Sequence, residues 1–317
     1  MREAEAIEAC LAVVPIAAAI RGPGDDAAVL APPGGNLVWA TDFVIEGRHF
    51  SRAWSSLTDA AYKAIARNAS DLAAMGAEPV AFLAAVALPD TEPATIDAIA
   101  AGFRDASVEF GLPVVGGDLS RNEQVIFAVS VLGRVDGPGL GRDGAQPGDA
   151  IVVTGALGAT GAGLGLLQLD EPGAGELLER FPSLLARHRR GVARLAAGRA
   201  LAPVAHAAID LSDGLAIDAA RIARASGVTL RIDPAALPVD TGVAEAAAYL
   251  GVSVDDLVAH RGDDYELLAT LDPDAVADVA AAIAPLELTV IGSVVAGPAG
   301  VVDLAGTPIE GGHDHFA

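Results

Sequence analysis

Six short acidic motifs interrupt an otherwise apolar chain, and they limit how it can fold. Most join aspartate to glycine, serine or threonine, and each stands where a strand or helix is expected to end. Carboxylates that converge on one place repel each other unless cations lie between them. The motifs are Gly24-Asp25-Asp26, Thr41-Asp42, Ser70-Asp71, Gly116-Gly117-Asp118, Asp210-Leu211-Ser212-Asp213-Gly214 and Gly262-Asp263-Asp264-Tyr265-Glu266. Together they indicate a site for Mg²⁺ and, through it, for phosphate.

Predicted strands and helices alternate through both halves of the chain, so the fold class is α/β or α+β. A length of 317 residues favours two domains. The stretch richest in glycine and proline, residues 138–149, is the expected linker. It leaves an N-terminal domain over 1–137 and a C-terminal α/β domain over 150–317. A strand that ends at Thr41-Asp42 and another that ends at Asp210 hint at two related halves.

The charge balance narrows the possible partners. A formal net charge of −22 argues against nucleic acid and against an anionic membrane, because both need a cationic face. Lys63 is the only lysine, and no Gly-Lys-Ser/Thr sequence exists, which excludes a P-loop. If the protein handles a nucleotide, metal ions, backbone amides and arginines must neutralise the phosphates.

The N-terminal segment and the single cysteine bear on where in the cell the protein is located. Cys10 is the only cysteine, so an intrachain disulfide and a cysteine-rich zinc site are both excluded. Residues 10–20 resemble a signal-peptide core, but the acidic segment before them favours an amphipathic helix. No apolar run reaches the ~20 residues that a membrane span needs. We therefore expect a cytoplasmic protein.

Taken singly, the motifs have structural alternatives. Asp26 could lie in a surface turn, and Asp42 could cap the next element. Asp71 is harder to explain without a ligand, because an aspartate on a buried face of the helix predicted over 56–75 needs a partner. The two glycines before Asp118 suit a backbone that approaches phosphate.

Other candidates have structural alternatives too. Strand alternation places Asp210 and Ser212 on one side, with Asp213 on the other, where it can also cap the next helix. A lone histidine such as His49 is more often structural than functional. The case for phosphate chemistry rests on the whole series of motifs.

This ordered series resembles the thiamine-monophosphate kinase family, within the superfamily of ATP enzymes related to aminoimidazole ribonucleotide synthetase. The resemblance runs nearly from end to end. Its most specific parts are the string Ser70-Asp71-Leu72-Ala73-Ala74-Met75-Gly76-Ala77, the pair His49-Phe50 and the tail Asp314-His315-Phe316.

The resemblance implies ATP-dependent phosphorylation of thiamine monophosphate to thiamine diphosphate with several Mg²⁺ ions. It also implies a homodimer formed through the N-terminal sheet, with the site between the two domains. By position, the metal ligands would be Asp26, Thr41, Asp42, Asp71, Asp118, Asp210 and Asp213, with Asp42 and Asp71 as the catalytic, bridging ligands. The ATP contacts would be Gly117, Asp118, Arg142 and Ser212, and the thiamine contacts would be His49, Asp263 and Phe316.

The chain departs from the family pattern at three places. Ala40 stands where the family usually has serine, and Asp263 stands where it has glutamate. No aromatic residue matches the one that the family often places near adenine, in the segment 97–100.

Two alternatives stay open. Another synthetase of the superfamily is one, although a selenophosphate synthetase should pair a reactive cysteine with a nearby lysine, and Cys10 and Lys63 are far apart in sequence. A non-catalytic metal-nucleotide-binding or maturation-complex protein is the other.

Overall fold

The computed structural model describes residues 2–19, 28, 30, 34–169, 174–304 and 306–309. The chain divides into two compact units. The N-terminal unit comprises Met1–Leu72 and Ala77–Pro138, and the C-terminal unit comprises Ala73–Gly76 and Gly139–Ala317. Each unit contains one sheet with helices, which confirms the predicted fold class.

The N-terminal unit is built on a four-stranded sheet in the order β1-β4-β2-β3. Strands β1, β4 and β2 pair antiparallel, and β2 and β3 pair parallel. Its elements are α1 (Glu3–Leu11), β1 (Asn36–Ile45), α2 (Leu57–Ala74), β2 (Glu78–Leu88), α3 (Pro93–Phe110), β3 (Val114–Arg121) and β4 (Ile126–Val135).

One face of this sheet is covered by α2 and α3. Phe103 of α3 makes edge-on ring contacts with Phe82 of β2 and Phe127 of β4. The two helices cross at Gly102, where a Cβ atom would lie 2.2 Å from the carbonyl oxygen of Thr58. Only glycine permits that approach. The opposite face of the sheet exposes large apolar side chains, which we call the β1 face: Leu37, Trp39, Phe43 and Leu83.

Two predicted strand ends were wrong. Thr41-Asp42 lies in the middle of β1, because backbone pairing with β4 continues to Ile45. Gly116-Gly117-Asp118 lies inside β3, which pairs with β2 as far as Arg121. In both cases a continuing ladder of hydrogen bonds overrides the local preference of Gly and Asp for turns.

The C-terminal unit is built on a seven-stranded sheet in the order β11-β10-β7-β9-β5-β8-β6. Its strands are β5 (Ala150–Thr154), β6 (Ala205–Asp210), β7 (Thr229–Ile232), β8 (Leu267–Leu271), β9 (Leu288–Val295), β10 (Val301–Leu304) and β11 (Thr307–Ile309). Its helices are α4 (Ala159–Leu167), α5 (Ala174–Leu178), α6 (Pro182–Arg190), α7 (Leu195–Leu201), α8 (Leu215–Ser226), α9 (Val243–Leu250), α10 (Val254–Ala259) and α11 (Val276–Ile283).

Strands β5 and β8 lie inside this sheet, each between two neighbouring strands. Every residue of both strands is buried. Helix α8 packs its apolar stripe, including Ala219 and Ile222, into the same core. Among the described residues, no helix has both the length and the hydropathy needed to cross a membrane.

Candidate functional site

Asp42 lies on the helix-facing side of the N-terminal sheet. Its neighbours Thr41 and Phe43 alternate to the β1 face, and the Thr41 hydroxyl donates to the carbonyl oxygen of Val129 at 2.9 Å. The Asp42 carboxylate is half-exposed and lies 3.6 Å from the Nε of Arg67 on α2. A predicted metal ligand therefore already faces a cationic side chain.

Asp71 occupies the same helix as Arg67, one turn later. Residues four apart on a helix are neighbours on its surface, so Arg67 and Asp71 share one side of α2. That helix has a buried polar side, with Arg67 and Asn68 less than a tenth exposed, whereas Asp71 is half-buried. The predicted helical position of Asp71 is confirmed, and Asp71 shares one side of α2 with Arg67, the residue that faces Asp42.

His49 is fixed by the turn that follows β1. Its Nδ1 accepts a hydrogen bond from the backbone N–H of Ile45 at 3.0 Å. A neutral imidazole with Nδ1 as acceptor carries its proton on Nε2, so Nε2 is a donor. The buried ammonium of Lys63 lies 3.4 Å from the carbonyl oxygen of His49. The single lysine of the chain thus holds the backbone of a predicted substrate contact.

Gly117 and Asp118 lie on the edge strand β3. The register places Asp42 and Gly117 in one row across the sheet, and Phe43 and Asp118 in the next row. Side chains alternate between faces along a strand, so Asp118 lies on the face opposite to Asp42. Asp118 is exposed, and Ser120 donates to its Oδ2 at 2.8 Å. A Cβ at Gly117 would lie 2.1 Å from the Ala84 carbonyl oxygen, so the two strands require this glycine.

In the C-terminal unit, the structure joins the two last acidic motifs. The backbone N–H of Asp263 donates to the carbonyl oxygen of Ser212 at 2.8 Å. Two further backbone bonds connect Leu211 with Tyr265 and with Glu266. These bonds extend the pairing of β6 with β8 beyond the strands. The loops over 210–214 and 262–266, which we call the paired loops, therefore lie side by side.

Asp213 has a cationic partner of its own. Arg221 contacts Asp213 Oδ2 at 2.6 Å and Asp218 Oδ1 at 2.5 Å. The fully buried Asp218 also accepts from the backbone N–H groups of Asp213 and Gly214. Burial raises the pKa of Asp218 to about 7, although the Asp213 N–H and the charge of Arg221 oppose the rise. Arg221 and the buried Asp218 thus fix the position of Asp213 and of the backbone that follows it.

Sequence reasoning missed the Glu266 cluster, which consists of Glu266, Arg187, Arg194 and Thr154. The fully buried Glu266 carboxylate contacts Arg187 at 2.9 Å and Arg194 at 2.7 and 2.5 Å, and it accepts from the Thr154 hydroxyl at 2.8 Å. A run of basic residues at the end of α6, in a chain with 20 Lys and Arg, was the available signal.

Some predicted residues are placed only by their backbone, or lie outside the described ranges. The carbonyl oxygen of Arg142 accepts from the Ser226 hydroxyl at 2.9 Å. Asp210 is the buried last residue of β6. Asp26 and Phe316 lie outside the described residues. Within those that are described, no three His, Cys, Asp or Glu side chains gather in a group that could hold a metal ion.

Comparison with known proteins gives consistent relatives. Residues 24–135 match the N-terminal domain model of the AIR synthase related proteins, and residues 146–305 match the C-terminal domain model. The thiamine-monophosphate kinase of Escherichia coli K12 is 36% identical over 310 residues, which cover 93% of this chain and 92% of that protein.

Solved structures agree. A thiamine-monophosphate kinase from Stenotrophomonas maltophilia has a TM-score of 0.81 at 33% identity, with 96% of each chain covered. AaThiL complexed with AMPPCP and TMP has a TM-score of 0.79 at 31% identity, with 92% of this chain and 91% of that chain covered. The chain belongs to the thiamine-monophosphate kinase family of the AIR synthase related proteins.

Proposed function

We propose that this protein transfers the γ-phosphoryl group of ATP to thiamine monophosphate and so forms thiamine diphosphate and ADP. The observation that carries the proposal is the pairing of two family motifs, because Ser212 and Asp263 lie on adjacent loops joined by a backbone hydrogen bond. The first is the proposed ATP contact and the second the proposed thiamine contact. Full-length similarity to thiamine-monophosphate kinases, one of them solved with AMPPCP and TMP, supports the same assignment.

The reaction joins two phosphates. An oxygen of the thiamine phosphate forms a bond to the γ-phosphorus of ATP as the bond from that phosphorus to the β–γ bridging oxygen breaks, and ADP leaves. The attacking oxygen is already anionic, so no strong general base is required. The main barrier is repulsion between anions, and catalysis therefore consists of positioning and charge neutralisation.

Magnesium fits the donor chemistry of the predicted ligands. Carboxylate oxygens are hard ligands that Mg²⁺ takes, and the carboxylates of Asp42 and Asp118 are exposed enough to accept an ion. We assign Mg²⁺ to Asp26, Thr41, Asp42, Asp71, Asp118, Asp210 and Asp213, at more than one ion site, because Asp42 and Asp118 lie on opposite faces of the N-terminal sheet. When bound, the ions neutralise phosphate charge and polarise the transferring group.

The chain's own residues bind and orient the substrates. His49 presents its Nε2–H as a donor to thiamine monophosphate, because Nδ1 is occupied by the Ile45 amide. Strand β3 is an edge strand, so the backbone groups of Gly117 that do not pair with β2 can face phosphate. Arg142 and Ser212 are the other proposed ATP contacts.

The decisive experiment is a direct assay. Purified protein with thiamine monophosphate, ATP and Mg²⁺ should form thiamine diphosphate and ADP in equal amounts, measured by chromatography. Asp71→Ala should abolish the product at saturating Mg²⁺. Unchanged turnover in this variant would contradict the role of Asp71, and absence of product with the unmodified protein would contradict the function.

The β1 face supports a homodimer as the working form. Leu37, Trp39 and Phe43 are each more than half exposed, and Leu83 is 38% exposed on the same face of the sheet. A contiguous apolar patch on a charged protein marks an interaction surface. We expect sedimentation to give a dimer that Trp39→Glu dissociates, whereas Val108→Glu, at a 69% exposed apolar position on α3, leaves it intact. A monomeric unmodified protein would contradict this.

A further inference from the structure

The loop over 262–266 has an unusual backbone. Asp263 has a φ of 69° and Tyr265 a φ of 53°, and they are the only non-glycine residues with positive φ in the described part of the chain. Left-handed conformations cost free energy for residues that have a Cβ atom, and they persist where surrounding contacts impose them. The contacts around this loop must therefore stabilise the left-handed backbone at Asp263 and Tyr265.

Two buried acids fix the loop on either side of Tyr265. Glu266 is held by the Glu266 cluster described above. Asp264 accepts from the backbone N–H of Gly158 at 2.8 Å and of Thr160 at 3.3 Å, at the start of α4. Both carboxylates are almost fully buried. Since the residues before and after it are anchored to different elements, Tyr265 cannot change its backbone without breaking one of these sets of bonds.

Tyr265 uses this fixed position to contact Asp263. Its ring is buried, with 2% of its surface exposed, and its hydroxyl donates to Asp263 Oδ1 at 2.7 Å. A hydrogen bond from a neutral donor to a carboxylate is stronger than one between neutral groups and favours the ionised form. The Tyr265 hydroxyl thus orients one oxygen of the Asp263 carboxylate.

We infer that Tyr265 is a positioning residue for the thiamine substrate, acting through the carboxylate of Asp263. The inference rests on the proposed function, in which Asp263 contacts thiamine monophosphate. Thiamine has a cationic thiazolium ring and an aminopyrimidine, and an ionised, oriented carboxylate can pair with the first or accept from the second. Tyr265 orients that carboxylate before the substrate arrives, which lowers the entropic cost of binding.

The test removes only the hydroxyl. In Tyr265→Phe we expect the KM for thiamine monophosphate to rise about tenfold, as for loss of a hydrogen bond to a charged group. We expect kcat and the KM for ATP to stay within twofold, because neither phosphoryl transfer nor ATP binding uses this bond. Tyr249→Phe is the matched control: its hydroxyl contacts the exposed Arg180, so it should change neither constant.

A double-variant cycle separates positioning from a merely structural role. If Tyr265 acts through Asp263, then adding Tyr265→Phe to Asp263→Ala, which removes the acceptor, should raise the KM for thiamine monophosphate much less than tenfold. Equal effects in both backgrounds would overturn the inference, as would an unchanged KM in Tyr265→Phe. An unmodified protein that forms no thiamine diphosphate would overturn the proposed function itself, and with it this role of Tyr265.

Discussion

The two units hold their acidic side chains in different ways. In the N-terminal unit, Asp42, Asp71 and Asp118 lie inside regular strands and a helix, and Asp42 and Asp118 lie on opposite faces of one sheet. In the C-terminal unit, Asp213 and Asp263 lie on the paired loops, fixed by backbone bonds and by buried side chains. Regular elements place a side chain by their periodicity, whereas loops need partners that are distant in sequence.

Because the acids are held differently, substitutions in the two units should have different effects. Changing an acid inside a regular element removes one charge and leaves the backbone in place. Changing an anchor of the paired loops releases a whole segment, because several hydrogen bonds depend on one carboxylate. We therefore expect variants of the N-terminal acids to affect catalysis first, and variants of the C-terminal anchors to affect stability first.

Among the variants that compare the two units, the largest effect is expected for Asp42→Asn. Replacing a carboxylate ligand by an amide should lower kcat by about 100-fold or more, since loss of one electrostatic contact to the transferring group has effects of this order. Initial rates over a range of Mg²⁺ concentrations measure it. Asp136→Asn, at a 92% exposed position of the same unit, is the control and should be neutral. A comparable loss of kcat in both variants would contradict a specific role of Asp42 in phosphoryl transfer.

A smaller effect on activity but a clear one on stability is expected for Glu266→Gln. The change leaves Arg187 and Arg194 without their buried counter-charge, which should lower the free energy of unfolding by about 3–5 kcal/mol. Urea titration measures it. Glu245→Gln breaks an ion pair with Arg180 that is half exposed on both sides, and we expect at most about 1 kcal/mol. Similar losses in the two variants would mean that the Glu266 cluster does not anchor the loop.

The smallest effect is a change in how stability depends on pH. Burial raises the pKa of Asp264 to about 7, even though the N–H groups of Gly158 and Thr160 oppose the rise. A carboxyl with a raised pKa in the folded state binds a proton more tightly there than in the unfolded chain. The stability that proton binding at Asp264 gives to the folded protein is therefore fully present below about pH 4, and it is lost as the pH rises towards 7.

Asp264→Asn cannot titrate, so the variant should lose less stability than the unmodified protein between pH 5 and pH 8. Unfolding midpoints of both proteins over this range give the comparison. Parallel curves would show that Asp264 is already ionised at pH 5 in the folded protein.

Much of the fold could be predicted from the sequence, because it follows from local patterns. The buried run of β8 and the apolar stripe of α8 are visible in the residues themselves. The error at Thr41-Asp42 and at Gly116 to Asp118 has one cause: both motifs contain turn-favouring residues, yet pairing with neighbouring strands carries the backbone through them. Pairing register depends on residues tens of positions away.

The candidate site was predictable only in part. The acids of the paired loops stand out by their spacing, but the residues that hold them do not. Glu266 contacts Thr154, Arg187 and Arg194, which are 72 to 112 residues away in sequence. The Tyr265 contact to Asp263 spans only two residues, but it depends on a left-handed backbone conformation that non-glycine residues rarely adopt. Such features follow from tertiary packing, and no short motif encodes them.

The position of Trp39 has a practical consequence. The chain has two tryptophans, and the ring of Trp39 is 71% exposed on the β1 face, with its Nε1 donating to Ser130 at 2.6 Å, whereas Trp54 is half-buried. Indole fluorescence moves to shorter wavelength when the ring leaves water. Any partner that covers this face should therefore produce a blue shift that dilution reverses, so the chain carries its own optical probe of association.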